Sequence, residues 1–107
     1  MITAMDVADA AIDRLHEKGW SRGRFTNASG QHCLVGAVMY AVPMRKGVSY
    51  KPQRAELYEA LVRVIPVDYA CGTTREQVMR WNDCDARDAD DVIEKLKLAR
   101  ELLASEQ

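Results

Sequence analysis

The sequence is poor in the residue sets that announce a chemistry: its 107 residues hold only three cysteines, two histidines, three prolines and one phenylalanine. Cys33, Cys71 and Cys84 are odd in number, lie far apart and form neither a C-x-x-C pair nor a Cys/His cluster, so the spacing predicts reduced thiols and no zinc site. No apolar run approaches the roughly 18 residues of a membrane span, and no membrane partner is expected. The opening stretch MITAMDVADAAIDR carries acids where a secretory leader has a basic and then an apolar region. A cytoplasmic protein without a targeting segment is therefore expected. No Gly-rich phosphate loop, metal-ligand set or complete catalytic constellation is present, so no cofactor is expected and an enzyme is the less favoured class.

What is present fits one globular domain over residues 1–107, with 48% apolar and 29% charged residues. A domain of this size buries roughly two thirds of its unfolded surface, enough for one core without disulfides or a structural metal. The net charge of −1 hides segregation: Arg14 to Arg63 holds nine basic and three acidic residues, whereas the first 13 residues carry three acids. From Val64 onward ten acids face six bases. Such a distribution can fold into a dipolar surface, unless helices bring opposite charges together. It lacks the overall basic excess of a nucleic-acid footprint.

Periodicity predicts a mainly α bundle of four or five helices, with room for one small β-hairpin. Ala4, Val7, Ala8, Ala11, Ile12 and Leu15 share one helical face, with Thr3 as the cap and Gly19 as the stop. Trp20 to His32 reads as loop or as a short hairpin turning at Asn27-Ala28-Ser29-Gly30. The run CLVGAVMYAV, Cys33 to Val42, reads as a buried helix ended by Pro43, with Gly36, Ala37 and Ala41 allowing close approach. Met44 to Pro52 is a basic surface connection. Gln53 to Ile65 forms a stripe stopped at Pro66, and Cys71-Gly72-Thr73-Thr74 is a turn in which Thr73 with Glu76, or Thr74 with Gln77, has capping-box spacing. A short fourth helix follows, and Asp88 caps a last one carrying Val92, Ile93, Leu96, Ala99, Leu102 and Leu103. The core is expected around Leu15, Val38, Leu61, Trp81 and Leu96.

Four blocks occur in order: Gly19-Trp20-Ser21-Arg22-Gly23, Gly30-Gln31-His32-Cys33-Leu34-Val35-Gly36-Ala37, Trp81-Asn82-Asp83, and Asp91-Val92-Ile93 with Leu96 and Ala99. Together they resemble a family of short, uncharacterised proteins of actinobacteria and their bacteriophages, with G-W-x-x-G, G-x-x-C-x-x-G-A and W-N-D blocks ahead of a terminal helix. The resemblance implies a fold and a cellular or phage source, and it brings no functional residue with it. This chain departs from the pattern in its basic connection, Arg45 to Lys51, and in Cys84 directly after the W-N-D block.

Several residues invite a functional reading. Cys33 follows His32 at a helix start, where a thiolate is stabilised, but adjacent side chains diverge and packing as a small apolar residue is the simpler role. Trp81, Asn82 and Asp83 offer a stacking face, donors and acceptors to a small ligand, or else a core aromatic followed by turn chemistry. Asp83, Asp85 and Glu94 fall at calcium-loop positions 1, 3 and 12, yet Arg87 and Asp88 occupy positions 5 and 6, so no metal is expected. Arg22, Arg24, Arg45, Lys46, Lys51 and Arg54, with Phe25 and Tyr50, form a basic set able to meet an acidic protein. The expectation is thus a non-enzymatic binding or regulatory protein, for which the resemblance implies a cellular or phage gene, and whose hypothetical contacts with a host or phage macromolecule are Arg22, Arg24, Arg45, Lys46 and Lys51. The alternative is a small-molecule binder or minor enzyme centred on Cys33, Asn82 and Asp83. Nucleic acid ranks last as a partner, and neither the identity of a protein partner nor the oligomeric state can be read.

Overall fold

A computed structural model describes every residue except Met44, Val67, Tyr69, Ala70, Cys71 and Gln107. Five helices follow one another: α1 Ala4–Lys18, α2 Leu34–Met39, α3 Lys51–Val64, α4 Thr74–Cys84 and α5 Ala89–Ser105. The protein is a mainly α bundle, as the periodicity predicts.

The ends of these helices are set by local chemistry. Thr3 and Asp6 form a reciprocal capping box at the start of α1, and Thr73 and Glu76 form one at the start of α4. Each box satisfies two amides that the helix cannot. Asp88 caps α5 by accepting from the Asp91 amide at 2.8 Å. Gly19 closes α1 with φ of 90°, donating its N–H to Leu15 O at 2.9 Å, in a conformation that glycine adopts without strain. Val64 is the last residue of α3, two before Pro66.

Three elements differ from their sequence reading. Helix α3 begins at Lys51, inside the expected connection, because Pro52 suits the first turn of a helix. The apolar run yields only six helical residues, because Pro43 drives the residue before it out of helical geometry and the chain already leaves the helix at Tyr40. Between α1 and α2 the turn at Asn27 is present, with Gly30 N–H donating to Asn27 O at 3.0 Å and Asn27 N–H to Gln31 O at 2.9 Å. It closes no hairpin. Among the described residues the β pairing there consists of isolated bridges, Trp20 with His32 and Thr26 with His32. Of the expected turn Cys71-Gly72-Thr73-Thr74, Cys71 lies outside the described residues, whereas the Thr73–Glu76 capping box is present.

The core is one cluster to which all five helices contribute, including Leu15, Val38, Leu61, Trp81 and Leu96. Helix α5 packs against α1 and α3, α3 also packs on α4, and α2 is held between α1 and α4. That leaves the start of α3 and the start of α4 at one end of the bundle, beside the exit from α2. Among the described residues no helix is long and apolar enough to cross a membrane.

Candidate functional site

Of the residues singled out by the sequence, Trp20, Cys33, Asn82 and Asp83 meet at one corner. Asn82 lies on the last turn of α4 with no exposed surface. Its Oδ1 accepts from the Trp20 indole at 2.6 Å and from the Leu34 amide, the first of α2, at 3.0 Å. Its Nδ2 donates to Ser21 O at 3.3 Å and to Asp83 Oδ1 at 2.9 Å, and that oxygen also accepts from the Gly23 amide at 2.9 Å. One amide therefore joins the 20–32 loop, the start of α2 and the end of α4. Cys33 supports the same corner: its Sγ is the α2 cap, accepting from the Gly36 amide at 3.2 Å. Burial pushes its thiol pKa up, against the pull of the Gly36 and Val35 amides, so this sulfur stays protonated.

His32 does not face Cys33 as a base. Its Nδ1 lies 3.1 Å from Phe25 O, which only accepts, so that nitrogen carries the proton, and its Nε2 accepts from Arg14 Nε at 3.1 Å. Thr26 Oγ1 sits 2.9 Å from the same Nδ1. This fixes the neutral Nδ1–H tautomer and folds the loop back over α2. Phe25 then crosses so close that a Cβ on Gly36 would stand 2.0 Å from its carbonyl oxygen.

The acidic set serves the start of α5. Asp91 is buried, paired to Lys95 Nζ at 3.0 Å, and accepts from the Arg87 amide at 3.0 Å. Burial opposes its ionisation, but the Arg87 amide, Lys95 and the Arg87 side chain together bring its pKa down to about 2. For Lys95 burial likewise disfavours the charge, yet Asp91 and Glu94 raise its pKa. The Lys95 ammonium also lies 5.9 Å from the centre of the Trp81 ring. Among the described residues no group of three or more His, Cys, Asp or Glu side chains is placed to hold a metal.

The basic set is divided. Arg22 is anchored at the α4–α5 corner, donating to Ala86 O and stacking 4.7 Å from the centre of the Trp20 ring. Arg24, Arg45, Lys46 and Lys51 are exposed and make no ion pair among the described residues. Arg45 borders a hollow with Ile2, Tyr50 and Gln53, whereas Lys51 borders a separate groove with Arg54, Tyr58 and Arg75. In that groove Tyr58 is buried with a hydroxyl that has no hydrogen-bond partner among the described residues. Burial pushes its phenol up to about 12, against the pull of Arg75 and Arg54.

A family model described as a family of unknown function (DUF6197) matches residues 1–102. The chain belongs to this family. No curated protein and no solved structure matches it. For this DUF6197 member the G-W, G-x-x-C-x-x-G-A and W-N-D blocks are spatially one unit: they build the corner that fastens the 20–32 loop to α2 and α4. Two other features carry sequence signals that the sequence reading does not use. Lys95 falls on the apolar stripe of α5 with Asp91 one turn before it, a spacing that signals a buried i,i+4 pair. Tyr58 falls on the stripe of α3 next to Arg54, and only the packing of α3 on α4 adds Arg75.

Proposed function

We propose that this DUF6197 member is a non-enzymatic binding or regulatory protein that meets an acidic surface on a protein partner. The observation that carries this reading is the exposed basic set of Arg45 and Lys46, between α2 and α3, and Lys51, the first residue of α3, which make no ion pair among the described residues. Arg24 adds a further exposed charge on the 20–32 loop, while Arg22 supports the loop from the α4–α5 corner. Elsewhere the segregated charges find each other: Arg63 makes two hydrogen bonds to Glu106, at 2.9 and 3.0 Å, and Arg100 reaches Asp9 at 2.7 Å. A cationic stretch left without such partners keeps its full attraction for an opposite surface and steers encounter with it. The resemblance to proteins of actinobacteria and their phages supports a cytoplasmic partner of host or phage origin. The reading of Cys33, Asn82 and Asp83 as a small-molecule site gains nothing from an Asn82 amide already spent on four protein contacts.

The test is capture of partners from a nuclease-treated actinobacterial lysate by the tagged chain, beside an Arg45→Glu/Lys46→Glu variant and a tag-only control. One partner recovered near stoichiometry from the wild type, and reduced at least tenfold by charge reversal, is the expected result. Equal recovery by the variant would sink the assignment of this surface. Recovery that vanishes with nuclease would transfer the reading to nucleic acid.

A further inference from the structure

Side chains from the first turns of two helices line the groove between α3 and α4. It has a volume of about 410 Å³, and its walls carry Lys51, Arg54, Tyr58, Thr74 and Arg75 with Met39 at one side. Among the described residues no carboxylate lines it. Lys51 and Arg54 belong to the first turn of α3, whose cap residue Tyr50 makes no side-chain cap bond and which has no acid in its first turn. Cations there oppose the helix dipole, an arrangement that an anion on the same spot relieves. Thr74 and Arg75 open α4, whose start is already capped by Thr73 and Glu76, so α4 brings the Arg75 guanidinium rather than a free helix end to the groove.

The independent observation is Tyr58. It is 5% exposed and its hydroxyl is a buried donor without a partner among the described residues, at the inner wall of this cationic groove. An unpaired buried hydroxyl costs free energy that a ligand oxygen recovers. A carboxylate would neutralise one charge of three, whereas a phosphate monoester brings nearly two charges and three acceptor oxygens, matched to two guanidinium forks and a phenol. Beside the groove, and sharing Met39, Lys51 and Arg54 with it, lies an apolar hollow of about 260 Å³ walled by Tyr40, Val42 and Tyr50. Its size suits a flat ring system rather than a polymer chain.

We propose that the groove binds a small phosphate monoester with a flat apolar body, the class of the nucleoside monophosphates, its phosphate on Arg54, Arg75 and the Tyr58 hydroxyl. The body lies along Met39 toward Tyr40 and Tyr50. This goes beyond the protein-binding reading and does not depend on it: the groove shares Lys51 with that surface, whereas Arg45 and Lys46 lie outside it.

The test is an amide-resolved NMR titration and calorimetry of the full chain with adenosine 5′-monophosphate, adenosine and inorganic phosphate. The expected result is saturable shifts from the monophosphate confined to the starts of α3 and α4, with at least tenfold weaker binding of adenosine and of inorganic phosphate. Arg54→Gln and Arg75→Gln each weaken monophosphate binding about tenfold or more. Tyr58→Phe weakens it several-fold while leaving the thermal midpoint unchanged or higher, since it deletes a hydroxyl the free protein does not use. Arg75 is exposed and Arg54 partly so, and these two variants keep the test sound if a substitution at Tyr58 disturbs folding. Absent shifts, shifts elsewhere, equal binding of adenosine or phosphate, or unchanged affinity in the Arg54 variant would overturn the proposal.

Discussion

At the residue scale, the corner around Asn82 shows how much a single buried polar group can organise. The Leu34 amide is one of the helix-start donors that α2 cannot satisfy, and the Trp20 indole is a donor at the edge of the core. Both converge on one oxygen, so losing the Asn82 amide leaves two donors at the edge of the core without an acceptor, at a cost of roughly 1–3 kcal/mol for each that stays buried. Gly36 sets the distance at which this happens. Replacing it with Ala puts a methyl group 2.0 Å from Phe25 O, a backbone atom that cannot rotate away. Gly36→Ala is expected to destabilise the fold by about 3 kcal/mol, at the upper end of overpacking costs, despite the better helix propensity of alanine. Urea unfolding checks this, and a loss under about 1 kcal/mol would show that Phe25 shifts freely. The sequence announces that Gly36 allows close approach and that Asn82 and Asp83 bond to loop backbone. It does not announce the partner, because nothing local ties an amide to a backbone donor 48 positions away.

At the element scale, starts and stops were legible because their chemistry is local. Thr3, Gly19, Thr73, Asp88 and Pro66 each act within a few residues, and each marks an end where the structure has one. The length of α2 was less so, since an apolar run reads the same inside a helix and beyond it. The first turn of α5 carries the clearest pH dependence. Asp91 titrates at about 2 in the fold against an ordinary 3.8, so its carboxylate stabilises the native state above about pH 4. That contribution, about 2 kcal/mol by linkage, is lost as the pH falls from about 4 to about 2. Asp91→Asn removes it and leaves the buried Lys95 ammonium with Glu94 as its remaining partner at 3.0 Å, so a loss of about 2 kcal/mol is expected at pH 7. Unfolding of both proteins at pH 7, 4 and 2.5 isolates the effect: the gap between them narrows with acid. A gap that stays constant would remove Asp91 from the acid response.

At the scale of the molecule, charge and core follow different logics. The sequence shows the basic middle and acidic ends plainly, but only the packing decides which charges cancel. Helix α5 returns along α1 and α3, which brings Arg100 to Asp9 and Arg63 to Glu106 and leaves the α2–α3 connection uncompensated. The core is a single cluster with no seam, since the buried faces of all five helices belong to it and Trp81 sits within it, 1% exposed. One seamless core predicts one cooperative transition. The 20–32 loop tests the limit of that statement, because it has no regular secondary structure and is held by side-chain bonds from His32, Asn82 and Asp83. Far-UV circular dichroism reports the helices, while tryptophan fluorescence reports Trp81 in the core together with Trp20 in the loop. Because the Asn82 amide ties Trp20 to the starts and ends of two helices, both signals are expected to fall on one curve, with an unfolding enthalpy of about 75 kcal/mol near 60 °C. A fluorescence change that precedes the loss of helix would show the loop opening first, and a Trp20→Phe variant that restores coincidence would assign that opening to the loop rather than to the core.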